Sequence, residues 1–296
     1  MCRTLHRLPL VTLAVVAACT SNRAATGGEH AGHDSVTPAA TASVTAQNLP
    51  ADAAGARARL TSSPRHSEWV MISAGADSVR AFIVYPERRA KAPVVVVVHE
   101  IYGLTPWVKS IADQLAADGF IAIAPDLLTS KNLPNPTDSV PADQASAAIR
   151  TLNMDDVHRQ ISAAANYAMA LPAAEKRYGI VGFCWGGAVS FAHAVRSESV
   201  GASVVYYGTS PASGTLSSVR APVLGLYGSN DARVNATIAP ADSTMKALGK
   251  TYTYSIYEGA GHGFLRQQGG QNGANLTASQ QAWPATIAWF RRHLGA

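Results

Sequence analysis

The sequence predicts an α/β fold, with a mostly parallel open sheet of about eight strands and helices on both faces of the sheet. Short apolar segments typical of strands alternate with helical segments from about residue 69 to the C-terminus. Residues 93–99 contain five consecutive valines, a pattern typical of a strand buried on both faces. Because helical crossovers normally join parallel neighbours, this alternation indicates a parallel sheet.

The elements follow, in chain order, from hydrophobic periodicity and turn residues. Alternating residues predict a hairpin over 70–73 and 79–85, the only part of the sheet expected to be antiparallel. Further strands are predicted at 93–99, 120–124, 178–183, 202–207, 222–227 and 252–257. Helices are predicted at 107–117, at 143–170 with a break near Asn153, and at 186–196, 239–248 and 279–293.

Composition excludes several classes of protein. Of the 296 residues, 47% are hydrophobic and 15% charged, which fits a sizeable core and excludes a wholly disordered chain. Beyond the N-terminus no apolar run is long enough for a polytopic membrane protein. The net charge is +5, but Lys and Arg are scattered, with adjacent pairs such as those at 88–89 and 291–292. A third adjacent pair lies at 176–177, and the three pairs are far apart in the sequence. This distribution argues against nucleic acid as a partner.

The N-terminus resembles an export signal over residues 1–18. Arg3 and Arg7 precede an apolar segment, residues 8–18, that is too short to span a bilayer. Small residues before Cys19 resemble the lipobox of bacterial lipoproteins, so we expect cleavage there and lipidation of Cys19. The protein would then be anchored in the bacterial cell envelope through this lipid alone. An ordinary secretory signal with an incidental Cys19 is the alternative.

Residues 19–66 are predicted to form a flexible tether, followed by a folded domain over 67–296. The segment is rich in Ala, Ser, Thr and Gly and has no Phe, Trp or Tyr, so it lacks material for a core. His30 and His33 could bind a metal ion loosely, although flexible segments often carry incidental histidines. We expect neither a metal nor an organic cofactor to be required.

Cys184 is the best candidate for a nucleophile. It lies in the sequence Gly-Phe-Cys-Trp-Gly-Gly, directly after a predicted strand and before a helix. Gly182 and Gly186 would allow the close strand-to-helix turn that a nucleophile elbow needs, and the helix N-terminus is expected to lower the thiol pKa. Cys2 is lost with the signal and Cys19 is lipidated, so Cys184 has no disulfide partner. The alternative is a buried, inert cysteine in a packed turn.

Asp231 and His262 complete a candidate triad. Asp231 is the last residue of the turn that follows the predicted strand at 222–227. His262 lies in a glycine-rich loop after the next strand. The order nucleophile, acid, histidine is that of a nucleophile elbow, and all three residues are placed at carboxyl ends of parallel strands. His262 would accept the thiol proton, and Asp231 would orient its ring. Taken singly, the two could be a turn residue and a loop cap.

A second candidate feature directly follows the valine-rich strand. Glu100 begins the sequence Glu-Ile-Tyr-Gly. In such folds this loop supplies one N–H of the oxyanion hole and the residue after the nucleophile supplies another, which indicates the backbones of Ile101 and Trp185. Glu100 would then lie close to Cys184, an unfavourable position for a carboxylate unless it has a role.

Five motifs together resemble the dienelactone hydrolases, and the resemblance covers residues 67–296. They are Glu-Ile-Tyr-Gly (100–103), Ala-Pro-Asp-Leu (124–127), Gly-Phe-Cys-Trp-Gly-Gly (182–187), Gly-Ser-Asn-Asp (228–231) and Gly-Ala-Gly-His-Gly-Phe (259–264). The resemblance implies an α/β-hydrolase fold and a Cys-His-Asp triad. It also implies that Glu100 attends the resting thiol and helps to deprotonate it once substrate binds, and that Arg266 holds a substrate carboxylate.

This sequence departs from the family at two substrate-binding positions. Gly263 stands where the dienelactone enzymes have a serine, and residues 140–143 lack the second carboxylate-binding arginine. The substrate is therefore expected to be a small carboxylic ester or lactone, with or without a carboxylate, cleaved through an acyl-Cys184 intermediate. A non-catalytic ligand-binding lipoprotein and a thiol redox protein are the alternatives, and the missing resolving cysteine disfavours the second.

Overall fold

In a computed structural model, residues 49–131, 133 and 140–295 are described. The strands are β1 (Ser67–Ala74), β2 (Asp77–Val84), β3 (Ala92–Val98), β4 (Ile121–Asp126), β5 (Ala174–Phe183), β6 (Val200–Tyr206), β7 (Val223–Asn230) and β8 (Tyr252–Gly261). The helices are α1 (Ala56–Thr61), α2 (Pro106–Ala117), α3 (Ala142–Ile149), α4 (Met154–Ala170), α5 (Trp185–Arg196), α6 (Ala232–Asn235), α7 (Ile238–Ala247) and α8 (Ala274–Leu294).

The eight strands form one mixed sheet in the order β1-β2-β4-β3-β5-β6-β7-β8, and the predicted α/β fold is confirmed. The β1–β2 hairpin is antiparallel, and β2 also runs antiparallel to its other neighbour, β4. Every other pairing is parallel. The carboxyl ends of β3, β5, β7 and β8 therefore lie along one edge of the sheet, where open α/β sheets bind their ligands.

The valine run of β3 shows why the sheet is covered on both faces. Val95 and Val97 pack with α2 and α8, whereas Val94, Val96 and Val98 pack with α4 and α5. All five are fully buried. Alternate side chains of a strand point to opposite faces, so a run without polar residues requires a helix layer on each side. Burying one such side chain stabilises the fold by about 1.5–3 kcal/mol.

The break predicted in the long helix is confirmed. Asn153 separates α3 from α4, and its side-chain oxygen accepts a hydrogen bond from the backbone N–H of Asp155. The backbone of Asn153 is extended, as at a helix N-cap. The α4 helix then packs across β4, β3 and β5 on the face away from α2.

The boundary predicted between tether and domain is wrong in position, because part of the predicted tether is folded. Residues 49–66 are described, include α1, and bury Leu49 and Ala56 in the same core cluster as α2. Hydrogen bonds hold much of this segment, and composition does not reveal such bonds. The low content of large apolar residues therefore predicted a tether where the chain is folded. The predicted signal, Cys19, His30 and His33 lie outside the described residues. No helix within the described ranges is long and apolar enough to cross a membrane.

Candidate active site

Cys184 lies at a strained turn between β5 and α5. Its backbone has φ 55° and ψ −116°, a conformation that residues other than glycine rarely adopt. The turn is possible because its neighbours lack a Cβ: one added to Gly182 would lie 1.8 Å from the Gly186 carbonyl oxygen, and one added to Gly186 would lie 2.4 Å from the His99 carbonyl oxygen. The local geometry is that of a nucleophile elbow, as the sequence predicts.

The expected lowering of the Cys184 pKa is wrong. The pKa of the thiol is raised, chiefly by burial and then by the negative charge of Glu100. The backbone N–H of Trp185 at the start of α5 does act in the expected direction, because its hydrogen bond to the sulfur lowers the pKa. That contribution is smaller than the two that oppose it. The resting sulfur is therefore a protonated thiol at neutral pH and needs a base.

Asp231 and His262 are joined as predicted. Nδ1 of His262 lies 2.5 Å from Oδ2 of Asp231, whose side chain is almost fully buried. The loops that carry the two residues are tied together, since the Asn230 amide donates to the Gly259 carbonyl and the Gly259 N–H donates to the Ser229 hydroxyl. This contact fixes the tautomer of His262 that leaves Nε2 free to accept a proton.

Gly263 gives a physical reason for one departure from the resembled family. Its φ is +76°, in the left-handed region, where a side chain is strained. Glycine therefore suits the turn directly after His262.

The His262 ring itself lies against the ring of Tyr207, with the centroids 5.1 Å apart. No hydrogen bond joins the Cys184 sulfur to His262, both of which lie in the described chain, so the thiol would have to turn to meet its base.

Glu100 lies within the site as a buried carboxylate. Glu100 is 3% exposed, and its Oε2 lies 3.1 Å from Nε of Arg266. Burial raises the pKa of Glu100 to about 7, against the opposing charge of Arg266. When Glu100 is ionised, its charge acts on the neighbouring thiol and raises the pKa of Cys184.

Arg266 is placed at the site, but it already has partners. It pairs with Glu100, and its guanidinium lies over the Tyr102 ring at 5.1 Å. The Arg266 side chain is 23% exposed, so one side of it remains open to a ligand. Its position fits the carboxylate-binding role that the resemblance implies, provided that a ligand competes with Glu100.

Of the two expected oxyanion-hole amides, that of Trp185 contacts the nucleophile. Residues 100–103 form a turn in which the Gly103 N–H donates to the Glu100 carbonyl, and the Ile101 N–H donates to no backbone carbonyl among the described residues. The Trp185 N–H is directed at the Cys184 sulfur. His99 fixes this turn: its ring contacts the Glu100 carbonyl at 2.8 Å and the Leu127 N–H at 3.3 Å. Burial lowers the pKa of His99 to about 4, so the ring is neutral.

A cavity of about 500 Å³ opens beside Glu100 and Arg266. Its wall combines the Glu100–Gly103 turn, the start of α2, the start of α3 and the N-terminal segment. The lining residues are Ala53, Ala54, Arg57, Glu100, Tyr102, Thr105, Pro106, Trp107, Val140, Ala142 and Arg266. Across the described part of the chain, no three His, Cys, Asp or Glu side chains gather as a metal site would require.

Sequence reasoning missed Tyr207. This fully buried residue has a φ of 40°, and its hydroxyl has no hydrogen-bond partner among the described residues. Burial raises the pKa of Tyr207 well above its usual value, and the charges of Glu100 and Cys184 add to this effect. Its phenol group is thus a potential hydrogen-bond donor inside the site. The available signal was its position at the carboxyl end of β6, the strand next to the nucleophile.

The chain is similar to known proteins over most of its length. The model of the Dienelactone hydrolase family matches residues 79–294. A "Putative carboxymethylenebutenolidase" of Salmonella typhimurium is 27% identical over 231 residues, which cover 74% of this chain and 84% of the relative. A "Probable 2-oxo-3-(5-oxofuran-2-ylidene)propanoate lactonase" of a Bradyrhizobium species is 29% identical over 240 residues, covering 77% of this chain and 94% of the relative.

Solved structures show the same fold. The crystal structure of a "Putative Dienelactone Hydrolase" from Klebsiella pneumoniae superposes with a TM-score of 0.68 at 24% sequence identity. The match covers 76% of this chain and 98% of that one. Nearly the whole of that protein therefore corresponds to the sheet and helices described above.

Proposed function

This chain belongs to the dienelactone hydrolase family, and from that premise we propose that it hydrolyses small carboxylic esters or lactones through an acyl-Cys184 intermediate. The observation that carries the proposal is the left-handed backbone of Cys184 on a turn that two glycines make possible. Such strain persists only where the surrounding structure holds it, and it is concentrated at functional sites. The Asp231–His262 pair at the same edge of the sheet supports it.

The proposed reaction begins when His262, oriented by Asp231, accepts the proton of the Cys184 thiol. The sulfur attacks the carbonyl carbon, and the carbonyl electron pair moves to oxygen. The N–H groups of Ile101 and Trp185 donate to this oxyanion. As the intermediate collapses, the C–O bond breaks and His262 gives its proton to the leaving alkoxide. The acyl group remains on sulfur as a thioester.

The second half of the proposed reaction regenerates the thiol. His262 accepts a proton from water, and the hydroxide attacks the thioester carbon. Collapse of this second intermediate breaks the C–S bond, and the proton on His262 returns to the sulfur. The products are a carboxylic acid and an alcohol, which remain one molecule when the substrate is a lactone.

Glu100 and Arg266 would prepare the resting thiol for this reaction. The resting thiol is protonated and lies next to Glu100, which pairs with Arg266. A substrate carboxylate that competes for Arg266 would weaken this pair, so Glu100 would become a stronger base toward Cys184. The ion pair thus offers a way to delay thiolate formation until a substrate is bound.

Ester hydrolysis by the purified protein and its Cys184→Ala variant tests the proposal. We expect 4-nitrophenyl butyrate to be hydrolysed by the wild type, and activity to be lost in the variant while the melting temperature stays within a few degrees. Ser190→Ala, about one and a half turns into α5, is the matched control. Equal hydrolysis by the Cys184 variant and the wild type would contradict the acyl-cysteine mechanism. A wild type that cleaves no ester or lactone would instead favour a binding protein.

We also propose that the N-terminus carries a lipid on Cys19 that anchors the protein in the bacterial cell envelope. The support is the sequence pattern before Cys19. The Cys19→Ala variant should leave the membrane fraction in high salt, and the Cys2→Ala variant should stay there, because Cys2 is removed with the signal. If the Cys19 variant stays with the membranes, the lipid proposal is wrong.

A further inference from the structure

The N-terminal segment of residues 49–62 forms part of the cavity wall and contacts both of its sides. Nε1 of Trp107, at the start of α2, donates to the Ala51 carbonyl at 3.1 Å. On the other side, the Ala53 N–H donates to the Arg266 carbonyl at 2.9 Å, and the Gln268 amide donates to the Pro50 carbonyl at 2.8 Å. These contacts hold α1 beside the cavity opening.

This attachment places Arg57 in the cavity wall. Among the described residues, the cavity lining includes two arginines, Arg57 and Arg266, and one acid, Glu100. Arg266 lies deeper, because it is largely buried and pairs with Glu100. Arg57 belongs to α1 and is exposed, which places its charge toward the solvent side of the cavity. Among the described lining residues, positive charge therefore occurs both at the largely buried Arg266 and at the exposed Arg57.

Another part of the lining leaves room for apolar groups. Val140 and Ala142, in the segment where the sequence lacks a second arginine, contribute only aliphatic side chains to the wall. Tyr102 and Trp107 add aromatic surface. The wall of this cavity thus combines the Glu100–Arg266 pair, apolar side chains and Arg57, so a ligand with both apolar and anionic parts would find a partner for each.

We propose that Arg57 forms a second anion subsite, so that the enzyme favours esters or lactones with a carboxylate remote from the carbonyl that is attacked. This inference rests on the proposed function. It places substrate recognition in a segment that precedes residue 79, where the match to the family begins. A guanidinium suits this role because it remains charged at all relevant pH values and can donate two parallel hydrogen bonds to a carboxylate.

A series of substrates of increasing length separates the two arginines. The probes are mono-4-nitrophenyl esters of succinic, glutaric, adipic and suberic acid, each compared with the neutral 4-nitrophenyl ester of equal chain length. For Arg57→Gln we expect KM to rise about fivefold on the longer acids, in keeping with a partly exposed ion pair, with kcat unchanged. The neutral esters should keep their KM. Arg266→Gln should act most strongly on the shortest acid.

Two further variants control for charge and for structure. Arg57→Lys keeps the positive charge and should recover most of the affinity for the longer acids. Arg292→Gln removes a positive charge from α8 near its C-terminus, where Phe290 and Leu294 pack on β5 and β6 at the edge of the sheet opposite to the site. It should leave all constants unchanged. Equal KM values for Arg57→Gln and the wild type across the acid series would overturn the inference.

A binding measurement makes the inference independent of turnover. Adipate should slow the alkylation of Cys184 by the neutral reagent iodoacetamide, and Arg57→Gln should need about fivefold more adipate for the same protection. If the wild type hydrolyses no ester but this difference is found, the proposed function fails and the anion subsite stands. If esters are hydrolysed and neither KM nor protection depends on Arg57, the subsite fails and the proposed function stands.

Discussion

The Cys184 thiol is subject to opposing influences on its pKa, and their balance decides whether the sulfur is a thiol or a thiolate in the absence of substrate. The N–H of Trp185 favours the thiolate, whereas burial and Glu100 favour the thiol more strongly. A thiolate that formed only after substrate binding would be protected from oxidation and alkylation between turnovers. In this account Glu100 keeps the nucleophile protonated at rest and acts as a base toward it once a substrate is bound.

Replacing Glu100 by Gln should therefore make the resting thiol more reactive and the enzyme slower. Removing the negative charge lowers the Cys184 pKa, so the pH profile of iodoacetamide alkylation should move to lower pH. The difference should be greatest above pH 7, where the Glu100 carboxylate, with a pKa of about 7, is ionised in the wild type. We expect kcat to fall at least about tenfold on esters that carry a carboxylate, because these compete with Glu100 for Arg266, and to fall less on neutral esters. An unchanged alkylation profile and kcat would make Glu100 structural.

Tyr207 gives a second prediction for a single residue. Burying a hydroxyl without a partner costs about 1–3 kcal/mol, so Tyr207→Phe should leave the free energy of unfolding unchanged or raise it. If the hydroxyl donates to the sulfur when the thiolate forms, kcat should fall about tenfold with little change in KM. Urea unfolding and steady-state kinetics measure the two effects. A kcat within twofold of the wild type would leave Tyr207 no part in the reaction.

Single residues differ in how far sequence alone can place them. Cys184, Asp231 and His262 were identifiable because each sits next to a strand end, and strand ends meet at one edge of a parallel sheet. The pairing of Glu100 with Arg266 was not predictable, since the two residues are far apart in the chain and meet only in the folded structure. The direction of the Cys184 pKa shift also depends on burial, which a local pattern does not supply.

Among the helices, α4 and α5 share a buried histidine pair that the proposed reaction does not use. Nδ1 of His158 lies 3.1 Å from Nδ1 of His193, and Nε2 of His193 lies 3.1 Å from the Tyr178 hydroxyl. Burial lowers the pKa of His158 to about 4 and that of His193 to about 3. Both rings are therefore neutral in the folded protein and would charge readily in the unfolded chain.

This pair should weaken the fold in acid. The unfolded histidines bind protons below about pH 6.5 and the folded ones do not until about pH 4, so stability falls as the pH drops through that range. Other groups titrate in the same range, so the test is a difference between proteins. From pH 7 to pH 4.5 the wild type should lose at least about 2 kcal/mol more unfolding free energy than the variant His158→Gln/His193→Gln. Equal losses in urea unfolding would contradict this account.

Element types were predictable because each carries a periodic signal. The valine run of β3 and the spacing of α2 reflect burial on particular faces, and burial dominates local structure. The α1 helix has no such signal: it is six residues long, with Ala56 its only buried residue, and it is held mainly by its surroundings. Its segment also joins α2 through Arg65, whose two donors lie 2.9 and 2.6 Å from the Asp113 carboxylate.

At the scale of the whole molecule, these contacts make residues 49–66 part of the folded unit. Asp113 is 2% exposed, so Arg65 is the counter-ion of a buried charge. Ser63 also donates to the same carboxylate. A domain that begins at residue 67, as the sequence predicts, would deprive Asp113 of these partners and would remove the α1 helix that packs on α2. It would also lose the wall of the cavity that carries Arg57.

Two truncated chains test where the folded unit begins. A chain starting at residue 49 keeps Arg65 and should unfold with the same free energy as a chain that starts at residue 19. A chain starting at residue 67 should be less stable by about 3 kcal/mol or more, because it loses the Arg65–Asp113 ion pair and the burial of Leu49 and Ala56. Adding Asp113→Asn to the shorter chain should restore part of the loss, since the buried charge is then removed. If all three chains unfold at the same urea concentration, the segment rests on the domain without stabilising it, and the domain begins at residue 67.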